Sequence, residues 1–170
     1  MALGVQVIVL TGSMGAGKTT VLGEASDLLT ARGIVHAVID LDGLAAAGLP
    51  DHLCSDLTYA NLAAVWSNFR QAGVTRLLLA EAVESADELS RIRAAIPDSA
   101  VVVCRLTATV ETMQQRIRTR EPGMLQQTFV ARARELDGLL ERAGLEDFCV
   151  ANDNRSVTEV AADVLKRAGW

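Results

Sequence analysis

One eight-residue stretch constrains this chain more than anything else in it. Gly12-Ser13-Met14-Gly15-Ala16-Gly17-Lys18-Thr19 matches the pattern G-x-x-x-x-G-K-[ST] in full. The glycines let the backbone turn so that successive N–H groups point inward and form a nest for phosphate oxygens. A helix starting at Gly17–Lys18 adds the positive end of its dipole. Lys18 can then reach the outer phosphates of a nucleotide and the Thr19 hydroxyl can ligate magnesium, with Thr20 next in the same turn. With glycine at about 7% of residues, a chain this long matches by chance well under about 1% of the time. The match also stands where the chemistry needs it. Val5–Leu10 before it is a near-continuous apolar run, as in a strand buried on both faces. Gly17–Arg32 after it carries Val21, Ala25, Leu28 and Leu29 at helical spacing, with Gly33 as its stop.

The same alternation continues to the end of the chain. Ile34–Ile39 reads as a second strand, and Leu41–Leu57 as an irregular stretch broken by Gly43, Gly48 and Pro50. Thr58–Ala72 reads as a helix, Val74–Ala82 as a strand, Ala86–Ala95 as a helix and Ala100–Leu106 as a strand. Thr109–Arg120 and Gln127–Ala143 read as helices separated by Glu121-Pro122-Gly123, and Phe148–Ala151 and Ser156–Ala168 close the chain as strand and helix. Five buried strands each followed by helix predict an α/β fold: a parallel sheet covered on both faces, as a three-layer α/β/α sandwich. The 170 residues suit one domain. In such sheets ligands bind beyond the carboxyl ends of the strands, so the residues just after each strand are the candidates for chemistry.

Charge narrows the partners. The net charge is −5 and no basic block of five or more residues occurs, which argues against a nucleic-acid groove. The longest apolar runs, such as Val7–Leu10 and Ala100–Cys104, are far short of a membrane span. Met1–Gly4 leads into the first strand without a charged leader, so a cytoplasmic protein is expected, as monomer or homodimer. Cys54, Cys104 and Cys149 lack metal-ligand spacing, and Cys104 and Cys149 fall in predicted buried strands, where they read as core residues. His36 and His52 are isolated, so a metal site made of protein ligands alone is not expected.

Two acidic positions follow strands. Asp40 and Asp42, at i and i+2 after the second strand, would point the same way, toward the phosphate mouth. One could hold a magnesium-bound water while the other accepts a proton from an attacking hydroxyl. Glu81 and Glu84 end the third strand, and Glu81 stands where many P-loop proteins put a carboxylate that helps hold magnesium, a position that also suits a rim charge or a helix start. Between Leu41 and Gly73, the segment expected to cover an acceptor (about 41–73), Arg70 is the one Lys or Arg. A nucleoside monophosphate site needs several positive donors, so the acceptor is expected to be neutral or amine-bearing. Arg70, Tyr59, Trp66 and Glu81 join Asp42 as candidate acceptor contacts, although Trp66 and Phe69 at helical spacing also suit a core.

Arginines cluster farther along. Arg105 ends the fourth strand, while Arg116 and Arg120 share a helix face running into a cover at Glu121–Met124, followed by Arg132 and Arg134. A guanidinium carried by such a cover (about 116–134) can stabilise charge spreading over a transferred phosphoryl group. Asn152 and Asp153, after the last strand, could line an adenine pocket. No Asn-Lys-x-Asp element for guanine occurs, so ATP is expected over GTP.

In element order over nearly its whole length, the chain resembles the small P-loop kinases of the shikimate kinase, gluconate kinase and adenylylsulfate kinase group. Gly12–Thr19, Asp40-x-Asp42 and Arg116-x-x-x-Arg120 carry the resemblance. It implies the P-loop NTPase fold with strand order 2-3-1-4-5 and a small lid, ATP with magnesium as donor, and a hydroxyl of a small molecule as acceptor. By the same resemblance Asp40 serves magnesium, Asp42 the acceptor hydroxyl, Arg116 the adenine face and Arg120 the phosphates. The stretch after Arg120, Glu-Pro-Gly-Met-Leu, departs from the Pro-Leu-Leu of shikimate kinases. Beside a small-molecule kinase stand two alternatives: a regulatory or accessory nucleotide-binding module with weak ATPase, and a nucleoside monophosphate kinase.

Overall fold

Side chains of the central strands sort by parity between two cores, and this sorting builds the three layers. In the computed structural model, which describes residues 4–44 and 46–170, strand β1 spans Val5–Thr11. Its Val5, Val7 and Val9 enter one hydrophobic cluster, while Ile8 and Leu10 enter the other. Strand β3 (Arg76–Ala80) divides likewise, with Leu77 and Leu79 on the first side and Leu78 and Ala80 on the second. Period-two alternation with apolar residues at both parities is what a sheet covered on both faces demands.

The first cluster is closed by helices α2 (Asp51–Gln71) and α3 (Ala86–Ala95), through Leu62, Trp66, Leu89 and Ile92. The second is closed by α1 (Lys18–Ala31) and α6 (Val157–Arg167), through Val21, Ala25, Leu29, Val160 and Val164. With β2 (Ala37–Asp40), β4 (Ser99–Thr107) and β5 (Phe148–Ala151), the sheet has the order β2-β3-β1-β4-β5, every pair parallel. This is the expected order. β1 is central, and the chain moves from it to the β3 side and later to the β4 side. The loop after β1 therefore lies where the strand order reverses.

Local chemistry sets the helix ends. Ser85, Thr109 and Ser156 cap α3, α4 (Val110–Arg120) and α6 by accepting from the backbone N–H three residues on. Ser156 and Glu159 form a complete capping box. Helix α5 (Gln126–Ala143) ends at Gly144, in the left-handed region.

Three expectations are corrected. The irregular stretch 41–57 is shorter: a 3₁₀ turn occupies Leu41–Gly43, and α2 already begins at Asp51, straight after Pro50. His52, Cys54, Ser55 and Asp56 are poor helix formers, so this first part of α2 shows no clear helical signal in sequence. β2 is shorter than Ile34–Ile39 and starts only at Ala37. Cys149 is exposed, because β5 is an edge strand whose face at that position is uncovered; Cys104 is buried. The reading of Met1–Gly4 as a lead-in falls, but for Gly4, outside the described residues. Among the described residues no helix is long and apolar enough to cross a membrane.

Leu78 lies fully buried in the middle of the sheet, whereas Val35 is 68% exposed. Leu78→Ala should lower unfolding free energy by about 2–5 kcal/mol, and Val35→Ala should stay within about 0.5 kcal/mol. Urea denaturation of both variants checks the difference.

Candidate functional site

The loop Gly12–Gly17 turns sharply between β1 and α1 because its glycines occupy positions no other residue fits. Gly12 has φ +149°, and a Cβ there would stand 2.6 Å from the Leu106 carbonyl oxygen. Gly17 has φ +99°, and a Cβ there would collide with the Asn152 side-chain amide. That amide donates to the Ala16 carbonyl at 2.7 Å. The Lys18 ammonium folds over the loop, donating to the Gly12 carbonyl at 2.8 Å and the Ser13 carbonyl at 3.4 Å. Burial lowers the Lys18 pKa, and the negative charges of Asp42, Glu81 and Asp40 oppose that shift.

A cavity of about 320 Å³ opens over this loop, lined by Ser13, Met14, Gly15, Gly17, Lys18, Thr19, Thr20, Asp42, Arg116 and Arg120. Two of the loop's side chains point away from it. Ser13 is buried and donates its hydroxyl to the Ala133 carbonyl of α5 at 2.6 Å, and Ala16 lies in the core. Backbone N–H groups, a lysine and two arginines around such a space suit the phosphates of a nucleotide.

Asp40 and Asp42 take separate positions. The strand ends at Asp40 and the 3₁₀ turn follows, so the same-side geometry of an extended strand does not hold between them. Asp40 accepts the Thr19 hydroxyl at 2.8 Å through Oδ2 and the Asp42 N–H at 3.3 Å through Oδ1. Thr19 and Asp40 thus offer a hydroxyl and a carboxylate side by side, the hard oxygen donors that magnesium takes. Asp42 is exposed, and among the described residues no hydrogen bond holds its carboxylate.

Asp42 also borders a second cavity, of about 280 Å³, lined by Leu41, Ser55, Thr58, Tyr59, Glu81 and Glu88 as well. α2 supplies Ser55, Thr58 and Tyr59, the end of β3 supplies Glu81, and the first turn of α3 supplies Glu88. Burial, then the charge of Asp42, pushes Glu81 up to about 7. Burial and the charges of Glu88 and Glu81 push the Tyr59 hydroxyl up to about 12, so it remains a donor.

Other candidates fall elsewhere. Trp66 is 3% exposed and belongs to the core under α2 and α3. Arg70 sits in the last turn of α2, near Asp98, at the amino-terminal edge of the sheet, because α2 runs antiparallel to the strands. The structure brings neither into the second cavity. Arg105 is 5% exposed and pairs with Asp137 at 2.8 Å and Glu146 at 3.6 Å, tying α5 to the sheet instead of facing phosphates. Arg132 pairs with Glu84 and with Glu135.

Arg116 and Arg120 both reach the first cavity. Arg116 donates to the Gly15 carbonyl at 3.1 Å and the Asn152 carbonyl at 2.7 Å, whereas Arg120 pairs with Glu121 at 3.0 Å on the surface. Asn152 and Asp153 frame the cavity without lining it. Asn152 backs the loop, and Asp153 accepts from the Thr109 N–H and hydroxyl at the start of α4. Sequence reasoning passed over Glu88, although Ser85-x-x-Glu88 is a legible capping-box pattern whose carboxylate belongs near a helix start.

The chain is similar to solved structures along its full length. An APS kinase of Mycobacterium tuberculosis, in complex with AMPPNP and APS, shares 20% identity over 98% of this chain and 99% of its own, with a TM-score of 0.69. A tunicamycin resistance protein of Deinococcus radiodurans shares 16% identity over 97% and 96%, with a TM-score of 0.67. A shikimate kinase of Acinetobacter baumannii in complex with shikimate shares 20% over 96% and 92%, with a TM-score of 0.62. No family model matches the sequence, and no curated protein matches it. At these identities the likeness establishes the fold: the chain has the five-stranded, 2-3-1-4-5 architecture of the P-loop kinases.

The raised pKa of Glu81 carries a stability signature. Its folded pKa lies above the ordinary carboxylate value, so the folded state binds more protons between about pH 4.5 and 7 and stability falls as pH rises through that window. Glu81→Gln should therefore raise the melting temperature at pH 8 and leave it nearly unchanged at pH 4.5. Melting curves of both proteins at the two pH values check this.

Proposed function

We propose that this protein is an ATP- and magnesium-dependent phosphotransferase that moves the γ-phosphoryl group to a hydroxyl of a small, neutral or amine-bearing molecule. One observation carries the reading: the cavity over the glycine loop and the cavity under α2 meet at a single carboxylate, Asp42. A donor in the first and an acceptor in the second would place the transferred group beside that side chain. The likeness to kinases solved with AMPPNP, APS or shikimate supports it.

Each group then has a task. The loop N–H groups and Lys18 hold the phosphates, Lys18 turning outward from the Gly12 carbonyl. Thr19 and Asp40 would hold magnesium, which supplies positive charge to the phosphate oxygens when bound. Asp42 takes the proton of the acceptor hydroxyl as its oxygen bonds to the γ-phosphorus and the bond to the ADP oxygen breaks. Arg116, clamped on two carbonyls, fixes the wall of the nucleotide cavity, and Arg120 can leave the exposed Glu121 to meet the equatorial oxygens. Among the described residues no arginine or lysine lines the acceptor cavity, which disfavours a nucleoside monophosphate.

Lys18→Ala should cut ATP turnover by about 10²–10³-fold with an unchanged melting curve. Asp42→Asn should reduce transfer by about 10²–10⁴-fold while AMPPNP affinity stays within about threefold. The check is mass spectrometry for an added phosphoryl group across a library of hydroxylated metabolites, with calorimetry for the nucleotide. Equal losses of binding and transfer in Asp42→Asn would move Asp42 to the metal. Nucleotide binding without transfer to any acceptor would favour a regulatory module.

A further inference from the structure

The cavity under α2 is placed by shape and position, about 280 Å³ opening onto the glycine loop at Asp42. That volume is at the small end of ligand sites, suited to a single-ring compound. Its charged lining then decides what kind of compound is admitted. We propose that the acceptor is a cation: a small polyhydroxylated compound with an ammonium group held by Glu81 and Glu88 while one hydroxyl meets Asp42. This rests on the phosphotransfer reading above and sharpens its acceptor.

Among the described residues three carboxylates line the cavity and no base does. The hydrogen bonds of Glu81 and Glu88 engage one oxygen of each: Glu81 accepts the Ala82 N–H at 3.0 Å, and Glu88 accepts the Glu84 N–H at 2.6 Å. Among the described residues the second oxygen of each has no hydrogen-bond partner and can meet a ligand. Meanwhile the basic side chains nearby are engaged, and Lys18, whose charge reaches Glu81 and Asp42, is turned onto the Gly12 and Ser13 carbonyls. Arg91 lies over the Tyr59 ring, 4.2 Å from its centre, and binds Ser55 and Asp56. Arg132, on the far side of Glu84, is neutralised by Glu84 and Glu135. An anionic acceptor would meet like charge with only hydroxyl donors to compensate.

A bare metal ion fits poorly, because among the described residues no three acidic, His or Cys side chains converge closely enough to hold one. Carboxylates at separate points of a wall suit amine and hydroxyl groups spread over one ring. Glu81 adds a physical incentive. Its negative form is disfavoured by burial and by Asp42, and an ammonium group against it would relieve both.

The experiment separates charge from chemistry. The protein saturated with magnesium and AMPPNP is titrated by calorimetry with two matched sets: glucosamine, N-acetylglucosamine, glucose and gluconate; and 2-deoxystreptamine with its di-N-acetyl derivative. Each amine should bind at least about tenfold more tightly than its N-acetyl partner, with gluconate weakest. Glu88→Gln should erase most of that preference while the melting curve and AMPPNP affinity hold. Amines that bind no better than their neutral partners, or do not bind, overturn the cation assignment. Replacing AMPPNP by ATP and following phosphate transfer tests the other half. Amine-selective binding without transfer would uphold the charge assignment and overturn the phosphotransfer reading.

Discussion

The rest of the structure depends on how closely the backbone is packed around the loop after β1. The loop is wedged between the Leu106 carbonyl on one strand, the Asn152 amide behind it and α5 above it, where the Ser13 hydroxyl meets the Ala133 carbonyl. A side chain at Gly12 or Gly17 would displace a neighbour's backbone or amide. The loop is therefore held in one shape by its surroundings, and its own Ala16 N–H donates to the Ser13 carbonyl at 3.1 Å. That preorganisation removes most of the ordering cost that a flexible loop would charge against binding. It also explains why Arg116 contacts the Gly15 and Asn152 carbonyls: it closes the last gap between loop and β5.

The electrostatics on either side of Lys18 are opposite in sign. Toward α4, the cavity meets Arg116 and Arg120; toward α2, it meets Asp42, Glu81 and Glu88. Lys18 lies half-buried between them, its charge opposed by desolvation and supported by Asp42, Glu81 and Asp40. The arginines that might have evened out the contrast are tied into the frame. Arg105 fastens α5 to the sheet through Asp137 and Glu146, and Arg132 fastens α5 to the end of β3 through Glu84.

Much of the sheet was legible because its signals are local. Val5–Leu10, Gly12–Thr19 and the capping serines report their conformation through apolar runs, glycines and hydroxyls next to one another in sequence. The strand order came from resemblance, since no local signal sets which strands pair. The start of α2 was illegible because its first turns carry Cys, Ser, Asp and His in place of helix formers. The positions of Arg70 and Arg105 were illegible for another reason. Arg70 lies on a helix that runs back to the far edge of the sheet, and Arg105 turns to the α5 side of β4. Neither direction is written in the residues beside it. Glu88 was legible as a helix-start residue through Ser85, but its place in the second cavity was not, because that wall is assembled from α2, β3 and α3 at once.

The two cavities draw on different parts of the chain, and only Asp42 belongs to both. Apart from Leu41, Asp42 and Glu81, the wall of the second cavity is built from half-buried residues of α2 and α3: Ser55, Thr58, Tyr59 and Glu88. Tyr59 packs on the core from outside, and the other three contribute to neither hydrophobic cluster. Such a division lets evolution rewrite one wall while the other stays fixed. A few replacements on the surfaces of α2 and α3 could therefore reshape the second cavity without touching the glycine loop.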